Sequence, residues 1–461
     1  MKTVKLLSLA IASTIFLNSC SNKLDLKPQT SVDADVAKSD PALLLIGAYS
    51  LMGSGGITNS QEGALYGTDV LLAADLLASE DYMTWRGTFN SYNEISNKTI
   101  SVTNTSIIRM WRKAYSAINL SNVLLESAGK LSATDAQYYA AQAKFVRGCM
   151  YFELLKFYGE ASTNRGVPII TSATNDYESI TFPSRNSISE TYTQIISDLT
   201  EAYNNLGDDH GDYANKYTAA AMLARMYLYK GEYDKALSFS NEVIASEKYS
   251  LPSSPDKSFN TSGASDHIFA ILQTTQNNTG TTNDGLTTFY GCDQTIPGSA
   301  GRGDVNIDST FIKLYEETDL RRSQLVYEGS CNKASVTSGK WKNPYTNIPV
   351  IRLAEMYLTR AECNLRLSST TGAEPLVDIN LLREKAGASA YADIDLDKIL
   401  LERQLELAFE GHRIHDFKRL KTVFTLVDNS TIDYSGDEFV FPIPLSEINV
   451  NKNITQNSYY Q

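Results

Sequence analysis

Residues 217–245 read YTAAAMLARMYLYKGEYDKALSFSNEVIA. Within them Tyr227, Gly231, Tyr233 and Ala236 fall as they do in a tetratricopeptide helix-turn-helix. The glycine makes the turn, and the small alanine lets the two helices approach closely. This stretch predicts a mostly α protein: tetratricopeptide-like helical hairpins forming a scaffold, with long irregular loops and little β structure.

Flanking segments extend the pattern. Residues 107–128 place Ile108, Trp111, Tyr115, Ile118 and Leu125 near the 3.6-residue period of a helix. Thr134 with Gln137 offers a capping-box start to a second helix that runs to about Phe157 and ends at Gly159. Ser187 with Glu190 opens a third, ending near Gly207. Residues 349–367 and 374–386 form another candidate pair, and 396–420 a further helix, bent near Gly411. Between them lie polar stretches at 54–98, 164–185, 250–308 and 329–345. Loops of this length are functional or disordered. Their many Tyr, Trp and Phe residues argue against plain disorder.

The N-terminus reads as a targeting segment. Lys2 and Lys5 precede an apolar run over 6–16, broken by Ser8, Ser13 and Thr14. That run is shorter than the roughly 20 residues a bilayer span needs, and it fits the apolar region of a signal peptide. Leu17-Asn18-Ser19-Cys20 then reads as a lipobox, with Asn18 larger than usual. The expected division is a lipoprotein signal peptide over 1–19 and one helical domain over 20–461, anchored to a membrane by lipid on Cys20. A secretory signal with a chance cysteine is the alternative; the solvated Ser21, Asn22 and Lys23 favour the tether.

Formal net charge is -12, and removal of Lys2 and Lys5 makes it more negative. Nucleic-acid binding needs clustered Lys and Arg and is not expected. Cys149 and Cys363 sit in apolar helical patterns and read as core. Cys292 and Cys331 lie in loop-like sequence and could pair in an oxidising compartment.

Ordered short segments carry a family resemblance. They include Leu24-Asp25-Leu26-Lys27-Pro28, Ala117-Ile118-Asn119 with Ser121-Asn122, and Ala143-Lys144-Phe145-Val146-Arg147. Thr318-Asp319 with Arg321, Pro349-Val350-Ile351-Arg352, and Arg360-Ala361-Glu362 follow. The run closes with Glu402-Arg403, Glu406-Leu407-Ala408-Phe409-Glu410-Gly411, Arg413, Asp416, Arg419 and Phe441-Pro442-Ile443-Pro444. This set resembles the SusD/RagB family of nutrient-binding lipoproteins. The resemblance implies a tetratricopeptide-like fold and an outer-membrane location facing the extracellular side. It also implies partnership with a SusC-like TonB-dependent transporter and a glycan ligand, or peptide in some members. No cofactor is implied.

Candidate functional residues divide by chemistry. Trp and Tyr rings can cover the flat C–H faces of sugars while charged and amide groups bind hydroxyls. On that ground Asp81, Tyr82, Trp85 and Arg86 form the first candidate ligand site, with Tyr290 and Trp341 in later loops. Each ring could instead pack its loop onto the scaffold, and Trp111 reads as core. Glu402, Glu406, Glu410 and Arg413 have helical spacing that lets them pair along one face; they read as acids and arginines that lock a helix to its neighbours rather than as a catalytic acid and base. His412 and His415 lack the His-Glu-x-x-His zinc spacing. Asp304, Asn306 and Asp308 start like a calcium loop but lack its later positions. Nothing recommends an enzyme. The alternatives to glycan capture are peptide capture, a tetratricopeptide protein-interaction scaffold, and a lipid-anchored glycoside hydrolase.

Overall fold

The computed structural model describes residues 40–53, 64–209, 211–275, 278–293, 295, 301–331, 336–425 and 429–461. The leader and Cys20 lie outside the described residues. In chain order the helices are α1 (Pro41–Gly53), α2 (Asp69–Leu77), α3 (Asn90–Ser96), α4 (Thr105–Ala128), α5 (Ala133–Tyr158), α6 (Ile188–Asn205), α7 (Lys216–Lys230), α8 (Tyr233–Ala245), α9 (Leu286–Tyr290), α10 (Ser309–Ile312), α11 (Leu320–Leu325), α12 (Leu353–Leu367), α13 (Pro375–Lys385), α14 (Leu396–Glu406), α15 (Arg413–Leu420) and α16 (Leu445–Val450). The strands are β1 (Met83–Trp85), β2 (His267–Ile271), β3 (Val305–Ile307), β4 (Val326–Glu328), β5 (Val336–Ser338), β6 (Ile348–Arg352), β7 (Val423–Thr425) and β8 (Thr431–Asp433). They pair antiparallel as β1–β3, β2–β6, β4–β5 and β7–β8.

The hairpin expected at 217–245 is α7 and α8. Asn215 caps α7 by accepting from the Thr218 amide. Gly231 ends it at φ +80°, a left-handed conformation that glycine adopts without steric cost. Ala236 is buried where α8 meets α7. Packing then passes from one hairpin to the next, through α4–α5, α5–α6, α6–α7, α8–α12 and α12–α13. One apolar cluster runs through these layers, from Ala48 in α1 to Ile454 near the C-terminus. Ser187 and Glu190 form the full capping box read from the sequence. The cap of α5 is Ser132 rather than Thr134. Residues 349–352, expected to be helical, belong to β6 because they pair with β2 before α12 begins.

The largest departure lies in 396–420. Phe409 and Gly411 have φ of +63° and +76°, so the chain breaks into α14 and α15 instead of bending one helix. A Cβ on Gly411 would stand 2.6 Å from the Leu71 Cα of α2, so the turn also needs glycine for close approach. The break reassigns the charges. Glu402, Glu406 and Glu410 lock the segment to its neighbours, as expected, by binding cations from other elements rather than by pairing along one face. Glu402 accepts from Arg321 and Arg383, Glu406 from Arg321 and Arg352, and Glu410 from Arg352 and Lys340. Arg413 donates to the Ala78 and Glu80 carbonyls at the end of α2 and stacks between Tyr82 and Phe417. The structural role expected of this run holds, with tertiary partners. Cys149 and Cys363 are buried thiols, and Cys292 is bonded to Cys331.

Candidate functional site

The aromatic loop residues come together, but on each other. Tyr82 stacks on Phe409 with centroids 4.9 Å apart and accepts the Phe409 amide at its hydroxyl. Trp341 donates its indole N–H to the Phe409 carbonyl at 3.1 Å. The Tyr290 hydroxyl donates to Asp75 Oδ2 at 3.1 Å, and its ring packs on Phe409. Trp85 is 8% exposed, wedged against Tyr92 and Phe289 and roofed by Gly87. These rings take the packing role, because the long loops must supply their own apolar core over the left-handed turn at 409–411. A ring buried on both faces offers no platform to a sugar. Arg86 is exposed and Asp81 half-buried. Beside them Arg302 stacks on Phe89 and Phe289 while binding Asp304 and Asn283.

The other sequence candidates are likewise committed. His412 shares a hydrogen bond with the Tyr229 hydroxyl, and His415 packs edge-on to Phe157. Burial, aided by surrounding cations, pushes both imidazoles well below their ordinary range. Asn306 accepts the Val336 amide, and Asp308 caps α10. Among the described residues no group of three or more His, Cys, Asp or Glu converges to hold a metal.

An open, ordered surface lies elsewhere, along α4. One face of that helix carries Tyr115, Asn119, Asn122 and Glu126, at the three- and four-residue spacing that aligns side chains. Each hydrogen-bonds the backbone of the 168–174 segment. Tyr115 donates to the Pro168 carbonyl, Asn122 to Ile170 and Ser172, Asn119 pairs both ways with Thr174, and Glu126 accepts from Ala173. Tyr151 of α5 pairs both ways with Ile170. The loop is therefore a strap laid along α4. Its continuation is held by the C-terminal segment: Asn453 donates to the Phe182 carbonyl, Asn451 to the Pro183 carbonyl, and Arg185 to the Asn457 side chain.

Between α4, the strap and α16 opens a groove of about 630 Å³. Its volume lies within the ~300–1,000 Å³ usual for ligand pockets. Trp111, Tyr115, Pro168, Ile180, Phe182 and Val450 contribute apolar surface. Trp111 is mostly core, as read from the sequence, and shows the groove only an edge. Phe182 is 48% exposed although its backbone is pinned. Arg112 of α4 faces Glu447 of α16 at 3.5 Å, with both side chains partly in solvent. The groove thus offers a fixed aromatic and apolar wall beside charged and hydroxyl groups. Among the described residues that line the groove, Glu447 is the carboxylate.

The chain matches two family models: one described as "Starch-binding associating with outer membrane" over residues 57–228, and that of the SusD family over residues 325–460. It is 27% identical to SusD-like protein P2 of Formosa agariphila, over 89% of this chain and 90% of that protein. It is 24% identical to the starch-binding protein SusD of Bacteroides thetaiotaomicron, over 74% and 76% of the two chains. Among solved structures, surface glycan-binding protein A of Bacteroides uniformis superposes with a TM-score of 0.75 at 21% identity, covering 91% of this chain and 99% of that one.

Proposed function

The chain belongs to the SusD family, and on that footing we propose that it captures an oligosaccharide non-covalently in the groove along α4. The observation that carries this reading is Phe182: a half-exposed ring on a pinned backbone, lining the groove together with Pro183, Arg112 and Glu447. Sugar C–H faces suit such a ring, and pinning lowers the entropy lost on binding. Relatives named for starch and surface-glycan binding support a glycan over a peptide. In the cell, Cys20 carries lipid and holds the protein at the outer face of the outer membrane, where it delivers its ligand to a SusC-like TonB-dependent transporter. The tether raises the effective concentration of the binding protein over that transporter. Cys20→Ala should leave glycan affinity intact and lower uptake by cells.

A glycan array followed by calorimetry on any hit tests the site. Phe182→Ala should weaken binding about five- to thirtyfold, as loss of a stacking platform worth about 1–2 kcal/mol would. Arg86→Ala should leave it within about twofold. The reverse pattern would return the site to the loop face first expected at 81–86.

A further inference from the structure

Large apolar side chains gather in the open on two walls of the α4 groove. Tyr177, Ile180 and Phe182 on the continuation of the strap, and Leu445 and Val450 of α16, are all exposed. Single exposed apolar residues are ordinary on a protein surface, but a group of them marks a surface that something covers. The group is wider than the groove. Ile180, Phe182 and Val450 line it, whereas Tyr177 and Leu445 lie beyond its lining.

Tyr177 is 86% exposed, yet the chain that carries it is fixed. The Asn175 and Asp176 amides donate to Ser179 Oγ at 2.9 and 3.1 Å, and the Ser179 amide donates back to Asp176 Oδ1 at 2.8 Å. The Asn175 side chain donates to Glu126 of α4 at 3.4 Å. This turn joins Thr174 to Ile180, and both of those residues line the groove. Tyr177 therefore stands at the rim, held out to solvent on a closed turn, so that little further entropy is lost when a ligand covers its ring.

The flanking chemistry narrows what covers it. Asn175, Asp176 and Glu178 are exposed on either side of Tyr177. The core of a protein–protein interface is depleted of Asp and Glu. A ring bracketed by an amide and two carboxylates suits a sugar instead: the C–H face lies on the ring and the hydroxyls bond the polar groups.

We propose that Tyr177 is a second sugar platform, outside the groove, and that the ligand is an extended glycan chain held at Phe182 within the groove and passing over Tyr177 at its rim. The proposal rests on the reading of the groove as a glycan site. It makes chain length an element of specificity, because a ligand short enough to lie within the groove does not reach Tyr177.

The probes are linear malto-, cello-, manno- and xylo-oligosaccharides of two, four and six units, titrated by calorimetry into the full-length chain. In the series that binds, affinity should rise at least about fivefold from the shortest member to the longest, as one added ring contact would give. Tyr177→Ala should remove that gain, weakening the six-unit ligand about fivefold and the two-unit ligand less than about twofold. Tyr177→Phe keeps the ring and should retain the gain, whereas Phe182→Ala should weaken short and long members alike. An unchanged six-unit affinity in Tyr177→Ala, with Phe182→Ala still weakened, overturns the second platform and leaves the groove standing. Equal loss for short and long ligands in Tyr177→Ala overturns it too, since the residue would then act through the groove. An unchanged six-unit affinity with reduced uptake by cells would assign the exposed group to a protein partner. Binding by none of the series, or binding indifferent to Phe182→Ala, would remove the groove reading and this proposal with it.

Discussion

Replacing Glu410 with Gln removes one charge from the ionic lattice beneath α14. Glu410 accepts from Arg352 Nε at 2.8 Å and Nη2 at 2.7 Å, and from Lys340 Nζ at 2.7 Å. Burial pushes its carboxyl up, but Arg352 and Lys340 outweigh burial and hold it at about 2, below the ordinary 4.5. At about 1.36 kcal/mol per pH unit, that depression corresponds to roughly 3 kcal/mol. It agrees with the ~3–5 kcal/mol cost of breaking a buried pair and leaving its partners charged. Unfolding entropy of about 2.1 cal/mol/K per residue gives roughly 1 kcal/mol/K for a chain of this size. Glu410→Gln should therefore melt about 3–5 °C lower near neutral pH. The folded carboxyl is the stronger acid, so its contribution is complete above pH 4.5 and fades as pH falls towards 2. Thermal melts followed by circular dichroism at about pH 7 and about pH 3 should show the gap between variant and wild type narrowing with acid. Equal melting temperatures at neutral pH, or a gap that does not change with pH, would refute this reasoning.

Asp75 has the opposite sign. Burial raises its carboxyl from 3.8 to about 7, against the lowering effects of Tyr290 and Gly411. Ionisation therefore costs stability as pH rises from 3.8 through about 7, and Asp75→Asn should stabilise the protein by up to about 4 kcal/mol above pH 8 and not below pH 4, read from urea midpoints. The Cys292–Cys331 bond closes a loop of 39 residues; the double alanine variant should lose roughly 4 kcal/mol, and a loss below about 1 kcal/mol would show that the loop stays closed in the unfolded state. Gly411→Val adds a Cβ against Leu71 at a left-handed position and should cost at least about 2 kcal/mol; an unchanged melting temperature would mean that the 409–411 turn can shift.

What the sequence revealed depends on how local the controlling interaction is. The α7–α8 hairpin was legible because Gly231 and Ala236 act within a few residues of themselves. The capping box at Ser187 is as local. The break in 396–420 was partly visible through Gly411, but Phe409 at positive φ was not. That conformation is held by Tyr82 and Trp341, from loops far away in sequence. The same long-range packing gave the aromatic loop residues, each open to a role as sugar platform or as packing, the packing role. The groove escaped notice because its three walls come from α4, the strap and the C-terminal segment, each unremarkable alone. One signal was present: Tyr115, Asn119, Asn122 and Glu126 put a polar stripe on a helix otherwise read by its apolar face. A helix that faces polar groups inward needs backbone to bind, and the polar stretch at 164–185 supplied it.

A crystal structure of the protein with its best array oligosaccharide tests the assignment of the α4 groove most directly. It should show a sugar ring lying on Phe182, with hydroxyls bonded to Arg112 or Glu447. A sugar bound instead beside Arg86 and Asp81, with the groove filled only by water, would contradict it.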